Sequence, residues 1–267
     1  MGPVSETGNT KEKVRDMIIE KRSEGVATVI MNDPEKRNAF SIPMRLALLD
    51  KFRELESDPE VRVIVFSGKG DNFCVGGDVT SMGHKPIGEA LDRMRIVHDL
   101  VRLLAQSSKP KIAAVEGWAV GGGLALALLC DTIVASESAR FKAGYGGIGM
   151  APDVGILHTL PARVGRGRAL QIFMYDETFD ARQALDWGAI DSVVPKGTTL
   201  DKAQRLAAIL AVKAPLPIAL TRSVLSSGLD EVLMREREIQ ALMFSSEDHA
   251  EGKAAFFEKR PAKFTGS

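Results

Sequence analysis

The 267-residue sequence predicts an α/β fold whose strands are joined by crossover helices and followed by a helical tail. Two observations carry this. Short apolar runs rich in β-branched residues, at 61–66 and 111–115, alternate with segments of helical period, the order that yields a buried, largely parallel sheet. Beyond residue 150 the strand signals thin out and helical periodicity takes over.

Residues 1–14 are polar, with no apolar core for a signal peptide, and are expected to be disordered. Residues 16–22 and 26–31 flank Ser23-Glu24-Gly25 and read as a β-hairpin. Residues 42–55 have the helical period and stop at Asp58-Pro59. The strand at 61–66 precedes a long amphipathic helix at 87–106, which Ser107-Ser108-Lys109-Pro110 ends. A strand at 111–115, a helix opening on glycine at 121–129, and short strands at 131–135 and 139–143 complete the α/β part. Helices at 157–164, 167–174 and 181–187 and a strand at 190–194 follow. The tail is helical at 199–211, 217–226, 229–244 and 247–258. This divides the chain into a core at 15–197 and a helical region at 198–267.

Lys+Arg and Asp+Glu are both 35, so the basic excess of a nucleic-acid binder is missing. The longest apolar stretch, 119–130, is too short to span a bilayer. Cys74 and Cys130 form no CxxC motif or disulfide framework, and a reduced, cytoplasmic setting is expected. His84, His158 and His249 lack metal-ligand spacing, so no metal site is expected.

Two strand-to-loop junctions carry the chemistry. One runs Phe66-Ser-Gly-Lys-Gly-Asp-Asn-Phe-Cys-Val-Gly-Gly-Asp78; the other runs from Ala114 to Ala125 through Gly121-Gly122-Gly123. Glycines entering a helix leave backbone N–H groups unpaired and let a ligand approach closely. That suits a phosphate or a developing oxyanion, and tight packing of helix on sheet explains the pattern equally well. Neither the P-loop nor the dinucleotide fingerprint is present.

These segments resemble the crotonase, or enoyl-CoA hydratase/isomerase, family. The resemblance rests on residues 31–39, Phe73-Cys-Val-Gly-Gly-Asp78, residues 110–131 with their central triple glycine, residues 140–165, and Phe256-Phe-Glu-Lys-Arg-Pro261. It implies a spiral of ββα turns with a helical trimerisation region, giving a homotrimer or a dimer of trimers. It also implies an acyl-CoA thioester substrate whose carbonyl oxygen is held by the N–H groups of Gly77 and Gly122. Coenzyme A enters as part of the substrate, and no separate cofactor is implied. Substrate-binding positions carried over are Arg37, Ala39, Val75, Asp78, Val79, Tyr145 and Lys259. Arg37 reads equally as a solvated surface residue, Lys259 is a surface lysine by default with the CoA of a neighbouring subunit as its alternative partner, and Tyr145 reads as a pocket wall or a hydrogen-bond donor.

The sequence departs from the family's hydratases at the acid–base positions. Their two glutamates align with Ala125 and Tyr145. One carboxylate remains, Asp153 in Gly149-Met-Ala-Pro-Asp-Val-Gly155, where the residue is either a helix N-cap or a general base. The segment looks like that of the family's isomerases, dienoyl-CoA isomerases and the ring-epoxide isomerase of phenylacetyl-CoA breakdown among them, which points to isomerisation with Asp153 as acid/base. His98 falls on a core-facing helical stripe. It is a packed core residue or, by likeness to an aryl-CoA dehalogenase of the same family, the activator of a water in a reaction where Asp153 is the nucleophile. Ordinary enoyl-CoA hydration and CoA-ester binding without catalysis are the remaining alternatives.

Overall fold

A computed structural model describes residues 16–83 and 85–267; the expectation of disorder at 1–14 and His84 lie outside the described residues. Strands β1 (Ile18–Ser23) and β2 (Val26–Met31) form the expected hairpin. Its turn places Glu24 and Gly25 at φ 46° and 79°, the double left-handed conformation that matches strand twist in a two-residue hairpin. Helix α1 (Ile42–Ser57) is N-capped by Ser41, whose side chain accepts from the Met44 N–H. It is followed by β3 (Val63–Gly68), α2 (Ile87–Gln106) and β4 (Lys111–Val115). Next come β5 (Trp118–Val120), α3 (Gly122–Leu128), β6 (Thr132–Ser136) and β7 (Arg140–Lys142).

Helix α4 (Ile156–Tyr175) runs where two helices are predicted. The break between them survives as a non-helical Gly165 at φ 76° inside it. Then follow β8 (Phe179–Asp180), α5 (Ala181–Asp186), β9 (Ser192–Val194) and the tail helices α6 (Thr199–Ala211), α7 (Pro215–Leu225), α8 (Leu229–Met243) and α9 (Glu247–Glu258). The sequence reading missed β5 and β8, which are only three and two residues long.

Six strands form one sheet in the order β1-β2-β3-β4-β6-β9, all parallel except for the hairpin pair β1–β2. A smaller sheet, β5-β7-β8, stands beside it. The inner strands β2, β3, β4 and β6 are buried on both faces, which is why they read as unbroken apolar runs. One face packs α6 through Ala203 and Ala207 onto Val63, Val65, Ile112 and Val134. The other packs α1 and α2, with Phe52, Phe66 and Phe73 edge to face at 5.4 Å. Helix α2 in turn lies against α8 of the tail.

Candidate active site

The two glycine segments are 45 residues apart in sequence, and the backbone zips them together. The Phe73 N–H donates to the Glu116 carbonyl (2.7 Å), Cys74 N–H to Trp118 (3.0 Å) and Val120 N–H to Cys74 (3.0 Å). This pairing sets Gly76-Gly77 beside Gly121-Gly122. The residues before α1 join the same seam, since Phe40 N–H donates to the Gly76 carbonyl (2.7 Å) and Val75 N–H to that of Arg37 (3.3 Å). Two glycines are required by the closeness of the approach. At Gly76, φ is +86° and a Cβ would stand 2.6 Å from the Val120 oxygen; at Gly123 it would stand 2.1 Å from that of Cys74.

Gly122 is the first residue of α3, where helix geometry leaves the N–H without an intrahelical acceptor. The Gly77 N–H has no backbone acceptor among the described residues. Both glycines line one cleft enclosing about 690 Å³ of free space, open to solvent. Phe40, Val75, Val79, Met82, Ile148, Met150 and Phe256 make its walls largely apolar, and Arg45, Tyr145, Asp153 and Gln240 supply its polar side chains. Among the described residues, Asp153 is the only carboxylate that lines it.

Asp153 does not cap α4; that place is taken by Gly155 at φ 72°. It lies on the turn entering the helix, with its backbone carbonyl accepting from the Ile156 N–H (3.3 Å) and the Tyr145 hydroxyl (3.2 Å). Burial, then the negative charge of Glu236, push the Asp153 carboxyl up to about 6, against the pull of the Arg45 cation. Burial likewise holds the Tyr145 phenol well above its usual range, so it remains a neutral donor. The next residue, Val154, has φ +61°, an outlier for a β-branched side chain.

The restraint on this turn comes from behind. Glu236, fully buried on α8, accepts from the Val154 N–H at 2.8 Å through Oε1 and from the Gly155 N–H at 2.9 Å through Oε2. The same Oε1 lies 2.9 Å from His98 Nε2. His98 is buried on α2 and points at this carboxylate; it does not line the cleft. One residue-turn of strained backbone costs about 1–3 kcal/mol, and two charge-assisted hydrogen bonds of about 1.5–3 kcal/mol each are enough to hold it.

Among the residues singled out by the sequence, Asp153, Gly77, Gly122, Val75, Val79 and Tyr145 meet at the cleft. Arg37 is exposed at φ 50°, Ala39 is buried beside it, and Asp78 turns its carboxylate onto the Thr80 N–H (3.0 Å). Lys259 is exposed at the end of α9. Three residues were missed. Glu236 and Gln240 share the stripe Leu229, Leu233, Glu236, Gln240, all fully buried, whose helical spacing is the signal that marks them as inward-facing. Arg45 sits on the buried face of α1 between Met44 and Leu48. Ala125 is buried within α3. The Cys74 and Cys130 thiols are both pushed up to about 12 by burial, which keeps them protonated.

Among the described residues, the arrangement is two N–H donors without a backbone acceptor and one carboxylic acid facing a common apolar space. It can hold an oxygen that gains negative charge while a proton is removed nearby.

The family model for enoyl-CoA hydratase/isomerase matches residues 21–267. The chain is 36% identical over 259 residues to 1,2-epoxyphenylacetyl-CoA isomerase of Escherichia coli K12, covering 94% of this chain and 99% of that one. It is 31% identical to crotonyl-CoA hydratase of Syntrophomonas wolfei, covering 92% and 97%. An enoyl-CoA hydratase from Mycobacterium avium subsp. paratuberculosis superposes with a TM-score of 0.84 at 30% identity, covering 93% and 98%.

Proposed function

The chain belongs to the enoyl-CoA hydratase/isomerase family, and we propose that it isomerises an acyl-CoA thioester, with Asp153 as acid/base and the Gly77 and Gly122 N–H groups as oxyanion donors. The observation that carries this reading is the meeting of both glycine segments and a single carboxylate in one cleft.

The Asp153 carboxylate takes a proton from a carbon of the acyl chain. The electron pair left behind moves toward the thioester carbonyl, whose oxygen becomes an enolate oxygen held by the two N–H groups. The pair then returns to a different carbon, which takes the same proton back from Asp153. The double bond has moved, and atoms and charge balance without a co-reactant, coenzyme A being part of the substrate. A carboxyl with its pKa near 6 is suited to both halves, because it is ionised at neutral pH yet more basic than an ordinary aspartate.

Hydration asks for more. A water must be oriented and deprotonated while a proton reaches the α-carbon, and the family's hydratases use two glutamates. Here Ala125 carries no polar group and Tyr145 directs its hydroxyl to a backbone carbonyl. The dehalogenase reading needs His98 at a water beside Asp153, and its Nε2 faces Glu236 instead.

The test is turnover of a panel of enoyl-, dienoyl- and aryl-CoA esters by the wild type and by Asp153→Asn. Isomerised product from the wild type, and its loss in the variant with ester binding kept, is the expected result; retained turnover in the variant overturns the assignment. For assembly we propose a homotrimer or a dimer of trimers. Exposed Leu216, Leu220, Val224 and Leu225 on α7 form an apolar surface of the kind that subunit association covers, and sedimentation equilibrium at monomer mass overturns that part.

A further inference from the structure

The two glycine donors are held by a residue that precedes α1. The Gly76 carbonyl and the Gly77 N–H belong to one trans peptide unit, so they point in opposite directions. The Phe40 N–H donates to that carbonyl at 2.7 Å, which turns the Gly77 N–H away from Phe40 and leaves it without a backbone acceptor. The ring of the same residue reaches the second donor segment, since a Cβ on Gly122 would stand 3.2 Å from Phe40 Cδ1. Phe40 therefore touches both donor segments, one through its backbone and the other through its ring.

Arg45, in the first turn of α1, holds Phe40 at two points. Its Nε donates to the Phe40 carbonyl at 3.0 Å, and its guanidinium lies over the Phe40 ring, 4.7 Å from the centre. The side chain is buried and lines the cleft, with Nη2 3.8 Å from where a Cβ on Gly77 would stand. Among the described residues no carboxylate oxygen lies within 4.0 Å of Arg45, so no ion pair offsets its burial. A buried charge without a partner is costly. The same low dielectric lets it act strongly on negative charge that develops beside it. Burial and the charge of Glu236 raise the proton affinity of Asp153, and Arg45 leads the groups that lower it, ahead of Tyr145 and His98. Burial, then the charge of Arg93 on α2, bring Arg45 itself down to about 10 against the opposing pull of Asp153, Cys74 and Tyr145, which leaves it charged at neutral pH.

We propose that Arg45 is a positioning residue of the reaction: through Phe40 it fixes the Gly77 and Gly122 donors, and its unpaired charge favours both the enolate oxygen and the ionised Asp153. One side chain thus couples the oxyanion donors to the acid/base, although it belongs to neither. The proposal rests on the thioester reading above and adds to it the group that keeps its two halves in register.

The first readout does not depend on turnover. Butyryl-CoA, isotope-labelled at the thioester carbonyl and with no double bond to move, is bound to the full chain at saturation, and difference infrared spectra follow the carbonyl stretch, which falls when the oxygen accepts hydrogen bonds. The wild type is expected to lower it, and Arg45→Met to lower it much less. With an ester that the panel above shows to be isomerised, Arg45→Met is expected to lose about 10- to 100-fold in kcat with KM nearly unchanged. Its midpoint in the pH profile of kcat/KM is expected to move upward from about 6, because the cation that favours ionised Asp153 is gone. Arg45→Lys, which keeps the charge and loses the planar fork, is expected to retain the midpoint while the carbonyl shift and kcat both fall. A carbonyl shift in Arg45→Met equal to that of the wild type, or a midpoint that does not rise, overturns the proposal and leaves the thioester reading in place. No carbonyl shift in the wild type overturns both. Where Arg45→Met does not fold, Arg45→Lys decides, and a wild-type carbonyl shift and kcat in that variant overturn the proposal.

Discussion

Two carboxylates act on the turn that enters α4, and they are treated in opposite ways. Glu236 lies behind the turn with three hydrogen-bonding neighbours, two of them backbone N–H groups and the third His98. Asp153 lies in front, at an apolar cleft, with the charge of Glu236 as a neighbour. Both are acidic side chains in low-dielectric surroundings; they differ in how many donors they are given. Glu236 holds structure, and the Asp153 carboxyl is pushed up to about 6 by burial and by the charge of Glu236. Low dielectric works in both directions, strengthening a completed network and raising the cost of an incomplete one. Catalytic groups are expected on the incomplete side.

The largest effect separating the two is expected from Asp153→Asn. If the front carboxylate moves the proton, turnover falls by about 10²–10⁴-fold, while its stability moves the other way. Because the folded pKa lies above the ordinary 3.8, the unfolded chain releases this proton first as pH rises. The stability cost therefore builds between about pH 4 and 6 and is complete at neutral pH. Asparagine escapes it, so at pH 7 the variant is expected to be more stable by about 1–3 kcal/mol, read as a higher urea midpoint. A variant both inactive and less stable would place Asp153 with Glu236 as a structural group.

Glu236→Gln should behave in the converse manner. The amide keeps one acceptor but turns an NH2 toward a backbone N–H, leaving a buried donor unpaired for a loss of about 1–3 kcal/mol. The turn it restrains includes Val154 in its left-handed conformation. Catalytic loss is then expected to follow from a displaced Asp153, with kcat falling while CoA-ester affinity changes little. Unchanged urea midpoint and unchanged kcat would remove the clamp from the argument.

How far this contrast was readable in the sequence differs between its halves. The long helix 87–106, the strand 111–115 and the helices 199–211 and 247–258 were legible to the residue, because their periodicity is strong and Pro, Gly or Ser punctuates their ends. Asp153 was legible through its segment's resemblance to isomerases, and His98 as a residue on a core-facing stripe. Glu236 was not, because Arg235-Glu236-Arg237-Glu238 reads as a solvated charged face. Its burial follows from the docking of α8 on α2, and its partners Val154 and Gly155 are about 80 positions away. Arg45 was hidden for a similar reason. An arginine in an amphipathic helix is ordinarily outward-facing, and only the packing of Phe40 and Gly77 around it makes it part of the cleft. Strands β5 and β8 were illegible because pairing partners, rather than local propensity, define elements of three and two residues.

The smallest effect is also the most direct measure of the coupling between the two carboxylates. Asp153 must be ionised to accept a proton, so kcat/KM of the wild type is expected to rise with pH through about 6 and then level off. The negative charge of Glu236 contributes to that raised value by disfavouring a second charge nearby. Neutralising it in Glu236→Gln leaves the burial contribution and removes the repulsion. The midpoint is therefore expected to move to lower pH, by about a unit or less given the screening typical of charges at a solvent-open site. A midpoint that moves upward would mean that the variant buries Asp153 further, and one that stays in place would mean that burial alone sets its proton affinity. In the second case the two carboxylates would be independent, and the front of the turn would owe its chemistry to the cleft and nothing to the clamp behind it.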